Sequence, residues 1–325
     1  MDLPIKINIP ESFFNEEVRW DYTITKEQKL LWAIQLDLVN ELFRVCKEHN
    51  LKIFADSGTL LGAIRHQGFI PWDDDMDFRM TREDFDKLMD LSDAFKHPYF
   101  LESYKTSKPH YHNFIKIRNS LTTCILPNEI FPIKNGLHLG VFIDVFPIDN
   151  IPEDINGNKK PRIDWVNRSR EEAIRLFALT RASIIGEKKL VRNKKFVNTS
   201  LTAALIADKS NEEIINIIQE QAKRVDDVNR ETKNIPSSKY LTTDGVSFKN
   251  RIVLDHSHFE KATWVPFEMI QMPIPQNAEE ILTKLYGDWK TPLKFTMCHS
   301  HPIFSATTPY KQYLEEHDVM KMLGG

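Results

Sequence analysis

Apolar positions near the start of the chain recur at helical spacing: Leu30, Leu31, Ile34, Leu38, Leu42 and Val45. Thr25 with Gln28 three residues on reads as a capping box, so the pattern predicts a helix from about Thr25 to Glu48, stopped at His49-Asn50. The period then changes. Leu51 to Ala55 reads as a short strand, Asp56-Ser57-Gly58-Thr59 as a sharp turn, and Leu60 to Ile64 as an apolar run leaving that turn. Met76 to Met80 reads as a second strand, followed by a helix capped at Thr81 with Asp84 three residues on. Strand-like alternation returns over Asn113 to Arg118, Thr122 to Leu126 and Val141 to Phe146. Pro147, Pro152 and the polar stretch Asp154 to Pro161 are expected to break it.

From Asp164 to about Glu231 the pattern is almost wholly helical, with breaks expected near Asn198 to Ser200 and at Ser210-Asn211. Strand-like segments near Lys239 to Thr243 and Met269 to Ile274 precede a helix over Asn277 to Tyr286. There is no internal repeat and no low-complexity tract. The expected organisation is an α+β core over residues 1–150, a helical region over 151–235, and a segment over 236–325 that packs back on the core.

Composition narrows the classes. With 325 residues the chain can bury a large core without disulfides or a structural metal. Its 43 Lys and Arg nearly balance 46 Asp and Glu, which argues against a nucleic-acid binder. Cys46, Cys124 and Cys298 are far apart and form no CxxC unit, as suits a reducing compartment. Met1-Asp2-Leu3-Pro4 opens no apolar signal segment, and the longest uncharged apolar-rich run, Phe196 to Ala207, is 12 residues, well under the roughly 20 a bilayer needs. A soluble, cytoplasmic protein is expected. Glycine is scarce, 11 in all, yet Gly58, Gly62 and Gly68 crowd into one short stretch.

That stretch carries the chemistry. It ends in Phe69-Ile70-Pro71-Trp72-Asp73-Asp74-Asp75-Met76-Asp77, with acids set among strongly apolar neighbours. On a strand Asp75 and Asp77 would share a face, with Asp73 behind them. Carboxylates this close repel one another unless a cation intervenes, and an all-oxygen set suits Mg²⁺ or Mn²⁺ better than zinc. A solvated acidic turn is the plain alternative, but Phe69, Ile70, Trp72, Met76 and Phe78 would hold the acids at a buried sheet edge. Glycoside hydrolysis needs two carboxylates about 5 to 9 Å apart on opposite sides of a bond, which acids packed along one strand do not provide.

A third carboxylate is expected from a neighbouring strand. Asp144, which interrupts the apolar run Val141 to Phe146, is the candidate for that role, with a strand-end or capping acid as the simpler reading. The Ser57-Gly58 turn, where a strand enters a helix, would let backbone approach a phosphate and aim N–H groups at it.

The stretch Ser57 to Asp77, with Gly58-Thr59-Leu60-Leu61-Gly62 and the acid run, resembles the signature of the LicD (fukutin-related) phosphotransferases, which have a nucleotidyltransferase-type fold. The resemblance continues at Lys116-Ile117-Arg118, at Phe142 to Asp149, and at Leu285-Tyr286-Gly287-Asp288-Trp289. It implies a mixed β-sheet core with flanking helices and transfer of a phospho-substituent from a CDP- or CMP-type donor to a sugar hydroxyl of a surface glycan. Phosphocholine is the best-known group in bacterial members. By position, Asp75, Asp77 and Asp144 would be catalytic, and Asp73, Asp75, Asp77 and Asp144 would hold the metal. One of these carboxylates could accept the hydroxyl proton.

Ser57, Gly58, Thr59, Arg65, His66, Lys116 and Arg118 are the candidate contacts to the cytidine nucleotide donor. For each charged one, a solvated surface role is the competing reading. Three His-x-His pairs, His110/His112, His256/His258 and His299/His301, invite a zinc reading that would need further ligands. Basic patches at Lys159 to Arg170 and Lys188 to Lys195 would face an anionic glycan or the inner membrane surface, where a lipid-linked acceptor sits, or are simply solvated helix faces. The rivals are a nucleotidyltransferase releasing pyrophosphate, an Asp-x-Asp glycosyltransferase, and a glycan-binding scaffold on an inactive fold.

Overall fold

A computed structural model of the chain describes residues 2–108, 110, 112–126, 136–151, 171–176, 178–180, 208–235, 237, 239–242, 253–293 and 302–322. Helix α1 (Lys26–Glu48) begins where the sequence places it: the Thr25 side chain accepts the backbone N–H of Gln28. The reciprocal half of the capping box is absent, because the Gln28 amide is used elsewhere (below). The helix is buried on nearly all sides, not along one stripe. A hairpin of β1 (Glu17–Arg19) and β2 (Tyr22–Ile24) lies N-terminal to it. Asp37 is fully buried and accepts the N–H groups of Lys6 and Ile7 and the Tyr99 hydroxyl, which satisfies it away from water.

The central sheet is mixed. It runs β10 (Val253–Asp255), β9 (Lys239–Thr242), β8 (Phe142–Asn150), β4 (Asp77–Thr81), β3 (Phe54–Ala55), with β5 (Tyr99–Glu102) and β6 (Ile115–Asn119) joined to the free part of β8. Strands β4 and β8 are parallel and put Asp77 opposite Asp144. On its other edge β8 pairs antiparallel first with β6, where Lys116 faces Asp144, and then with β9.

Strand β8 does not break at Pro147 as the sequence pattern suggests. The Asp144 N–H points to the β4 side, bonding the Met76 carbonyl, so alternation turns position 147 to the other edge. Pro147 falls between the last β6 pair at Val145 and the first β9 pair at Ile148, where no donor is required.

Helices α2 (Ser57–Arg65) and α3 (Arg82–Met89) leave β3 and β4. Residues 171–176 and 178–180 are helical, and α4 (Asn211–Arg230) starts at the expected Ser210 with a full capping box to Glu213. Arg82, almost wholly buried, pairs with Asp149 of β8 and Asp226 of α4, tying that helix to the sheet. The rest of the predicted helical middle, the basic patches 159–170 and 188–195, Cys298 and the pair His299/His301 lie outside the described residues.

A hairpin of β11 (Thr263–Phe267) and β12 (Ile270–Ile274) precedes α5 (Ala278–Tyr286). Phe267, Met272, Ile281, Leu282 and Trp289 belong to the same buried cluster as Trp32, Phe54 and Phe78. The C-terminal segment thus packs back on the core. Farther on, β13 (Ile303–Ser305) pairs with β7 (Thr123–Ile125).

Candidate active site

The acid loop between α2 and β4 is held from one face of α1. Gln28 Nε2 donates to the carbonyls of Pro71 (2.7 Å) and Asp73 (3.3 Å), Trp32 Nε1 to Asp73 (3.0 Å), and Gln35 Nε2 to Asp74 (2.9 Å). Spacings of four and three residues put these three side chains on one helical face. Trp32 also stacks on Phe69, with ring centroids 4.4 Å apart. Glu268, in the turn between β11 and β12, accepts the Phe69 N–H at 3.2 Å and a forked pair from Arg19. Both ends of the loop are therefore fixed by buried partners.

Strand β4 starts at Asp77, one residue later than the pattern suggests, so Asp75 precedes it. Both acids nevertheless line one cavity of about 450 Å³, with Asp73, Ser57, Gly58 and Arg65 on its wall. The start of α2 forms part of that wall, presenting the positive end of a helix beside the acids. A Cβ on Gly58 would lie 2.7 Å from Asp73 Oδ2, so only glycine admits the carboxylate there. Asp144 lies next to Asp77 in the sheet.

Residues 50–151 match the family described as LicD/FKTN/FKRP, nucleotidyltransferase domain. A Haemophilus influenzae protein named lipopolysaccharide cholinephosphotransferase LicD is 24% identical over 267 residues, covering 81% of this chain and 90% of the relative. Over residues 50–151 the chain is therefore similar to the LicD nucleotidyltransferase domain. Uncharacterised proteins of Rickettsia prowazekii (30% identical, 41% of this chain and 49% of the relative) and Rickettsia typhi (40% identical, 22% of each) match shorter stretches.

Within this site the acids are electrostatically frustrated. Burial, and then the charge of Asp75, raises the Asp73 carboxyl well above its usual range. Burial raises Asp77 likewise, with Asp75, Asp144, Asp56 and Asp73 adding to it. Asp73, Asp74 and Asp75 can each bring one oxygen within 4.8 Å of the others. An all-oxygen set whose crowding raises carboxyl pKa values fits a hard divalent cation such as Mg²⁺ or Mn²⁺, which would offset the repulsion.

Other expected contacts take different places. The Thr59 hydroxyl accepts the Asp77 N–H at 2.8 Å and so positions the strand start. Lys116 Nζ lies 2.7 and 3.0 Å from the two oxygens of Asp144 and 3.6 Å from the Phe142 ring centroid. Arg118 shares the face of Lys116, but its fully buried guanidinium pairs with Glu102 and donates to the Gly140 carbonyl. His66 accepts from Arg65 Nε at 3.0 Å and sits edge-on to Trp20 and Trp72. Burial first, then Arg65 and Arg19, pushes its pKa down to about 4, leaving a neutral ring at pH 7. Thr59, His66, Lys116 and Arg118 do not line the cavity; Ser57, Gly58 and Arg65 do.

The sequence reading gives several residues of the site no role. Asp56, buried between Ser57 Oγ (3.1 Å) and Arg79, adds a further acid next to Asp77; its place between a strand and a helix start was the available signal. Tyr286, Asp288, Trp289, Thr291 and Leu293 close the far side of the cavity. Among the described histidine pairs, His110 bonds Glu102 and the Phe114 carbonyl. His258 meets Asp255 and Glu280, whose charges Lys239 and Lys284 already balance.

Proposed function

We propose that the protein is a metal-dependent phosphotransferase that moves phosphocholine, or a similar phospho-alcohol or phosphonate group, from a CDP- or CMP-activated donor to a hydroxyl of a cell-surface glycan or its precursor. The observation that carries this reading is the in-register placement of Asp144 beside Asp77, which faces a cavity together with Asp73 and Asp75 at the start of a helix. The name of the Haemophilus relative supports the choice of phosphocholine and of a lipopolysaccharide-type acceptor.

Asp73, Asp75, Asp77 and Asp144 would hold Mg²⁺ or Mn²⁺, which when bound neutralises the donor diphosphate and favours departure of CMP. The start of α2 at Ser57 and Gly58, with Arg65, binds the phosphates. The acceptor oxygen forms a bond to the distal phosphorus while the bond from that phosphorus to the CMP oxygen breaks. A carboxylate of the acid set takes the hydroxyl proton. Lys116 keeps Asp144 oriented beside Asp77. In this reading residues 1–150 are the catalytic core, 151–235 the acceptor side, and 236–325 the segment that completes the site. No described helix is long and apolar enough to cross a membrane. A cytoplasmic enzyme that reaches a lipid-linked acceptor at the inner membrane face is consistent with that.

The test is incubation with Mg²⁺ or Mn²⁺, an acceptor glycan, and a panel of CDP-alcohols, CMP-phosphonates and nucleoside triphosphates, with mass spectrometry of the released nucleotide. CMP is expected. Pyrophosphate from a triphosphate would assign an ordinary nucleotidyltransferase instead.

A further inference from the structure

Facing the carboxylates, the cavity has a wall of different character, supplied by the single stretch from Tyr286 to Leu293. The Trp289 ring is fixed in advance. Its indole N–H donates to Thr283 Oγ1 at 3.2 Å and its carbonyl accepts Arg65 Nη1 at 2.7 Å. Lys290 Nζ lies 5.2 Å from that ring's centroid, so the ring already attracts one cation. Asp288 is oriented by the Thr291 hydroxyl, which donates to Oδ2 at 2.7 Å. Tyr286, at the last turn of α5, remains 45% exposed. Burial, followed by the charges of Asp56, Asp77, Asp73 and Asp75, raises its phenol pKa.

Charge decides what this wall prefers. The cavity lining carries Asp73, Asp75, Asp77 and Asp288 against one guanidinium, Arg65. A divalent cation and a diphosphate would offset each other at the acid loop and leave Asp288 uncompensated. A neutral polyol could hydrogen-bond Tyr286, Asp288 or Thr291 but would leave the charge of Asp288 unmatched, beside the apolar Leu61, Ile70 and Leu293. A quaternary ammonium has no N–H to satisfy and is attracted by ring faces and a nearby carboxylate.

We propose that Tyr286, Trp289 and Asp288 form the headgroup-selecting wall of this cavity, taking a compact organic cation of the quaternary ammonium class. The proposal rests on the phosphotransferase reading and assigns one end of its donor to named residues. The wall binds the spectator end of the transferred group and leaves the phosphorus at the acid loop.

The test compares CDP-choline, CDP-ethanolamine and CDP-glycerol, reading kcat and KM from CMP release by the wild type and by Tyr286→Ala, Tyr286→Phe and Asp288→Asn. The wild type should favour CDP-choline. Tyr286→Ala and Asp288→Asn should each lower the choline-to-glycerol ratio of kcat/KM about tenfold, chiefly through KM, while Tyr286→Phe keeps it. Quenching of tryptophan fluorescence by phosphocholine, but not by glycerol phosphate, should weaken in the same two variants. Equal losses for all three donors would assign the wall to the shared nucleotide and overturn the proposal, as would a wild-type preference for CDP-glycerol. CMP from none of the donors would overturn the phosphotransferase reading itself, and this proposal with it.

Discussion

The Lys116 ammonium bridges both carboxylate oxygens of Asp144, at 2.7 and 3.0 Å, while Asp144 stands opposite Asp77 on the next strand. Both partners are nearly buried, with side-chain exposures of 4% and 12%. Lys116→Met would strand a buried carboxylate and cost about 3 kcal/mol in urea unfolding. Adding Asp144→Asn should recover most of that stability without recovering turnover. Recovery of turnover in the double variant would show that Asp144 has no part in the chemistry.

Asp75→Asn and Asp77→Asn should each reduce kcat by about a hundredfold or more, as expected when a group that stabilises transition-state charge is removed. The same Asp77→Asn change should raise the melting temperature of the metal-free protein. It removes the burial penalty and the repulsion by neighbouring carboxylates that raise the Asp77 pKa. Thermal scans with and without Mg²⁺ check this, and a loss of stability in both would refute it.

The pH dependence follows from the direction of those shifts. Asp73 and Asp77 titrate near 3.8 when unfolded and well above that when folded. Between those values the native state binds more protons, so the contribution of these groups to stability declines as pH rises through the window. The stability difference between wild type and Asp77→Asn should therefore widen from pH 4 upward in chelator. Divalent cation should close it, with proton release measurable by calorimetry in buffers of different ionisation enthalpy.

Two glycines of α2 separate function from folding. Alanine at Gly58 meets a carboxylate oxygen of Asp73 at 2.7 Å, whereas alanine at Gly62 meets the Gly68 carbonyl at 2.5 Å. The first obstacle is a side chain that turns aside, the second is backbone. Gly58→Ala should fold normally and lose about a hundredfold in kcat through displacement of Asp73. Gly62→Ala should lose about 1 to 3 kcal/mol of stability despite the better helix propensity of alanine.

Arg82 joins Asp149 and Asp226 in a place where neither acid meets water. Arg82→Met should cost about 3 to 5 kcal/mol. Hydrogen exchange should show α4 losing protection, and unchanged protection there would mean that the helix docks by its apolar face alone.

What the sequence disclosed was local chemistry. The acid run, the turn at Ser57 and the lone acid in Val141 to Phe146 each sit within a few residues of their own context, so spacing alone brought them forward. Partners across long separations were hidden. Nothing near Lys116 signals that it faces Asp144, and the guanidinium of Arg118, on the same face, is absorbed by Glu102. The far wall of the cavity reaches the acids through Arg65 and Trp289, 224 residues apart. The short hairpin over Glu17 to Ile24 and strand β5 are too brief to carry a period, and Pro147 misleads because its missing donor coincides with a change of neighbouring strand.

Gln28, Trp32 and Gln35 hydrogen-bond main-chain carbonyls of the acid loop, and the loop side chain stacked on Trp32 is Phe69, not an acid. Such a grip is blind to what the loop displays. The path of the backbone and the reactive groups mounted on it can therefore vary independently. A redesign could replace the aspartates with amides, histidines or cysteines for another metal and inherit the same loop trajectory from α1.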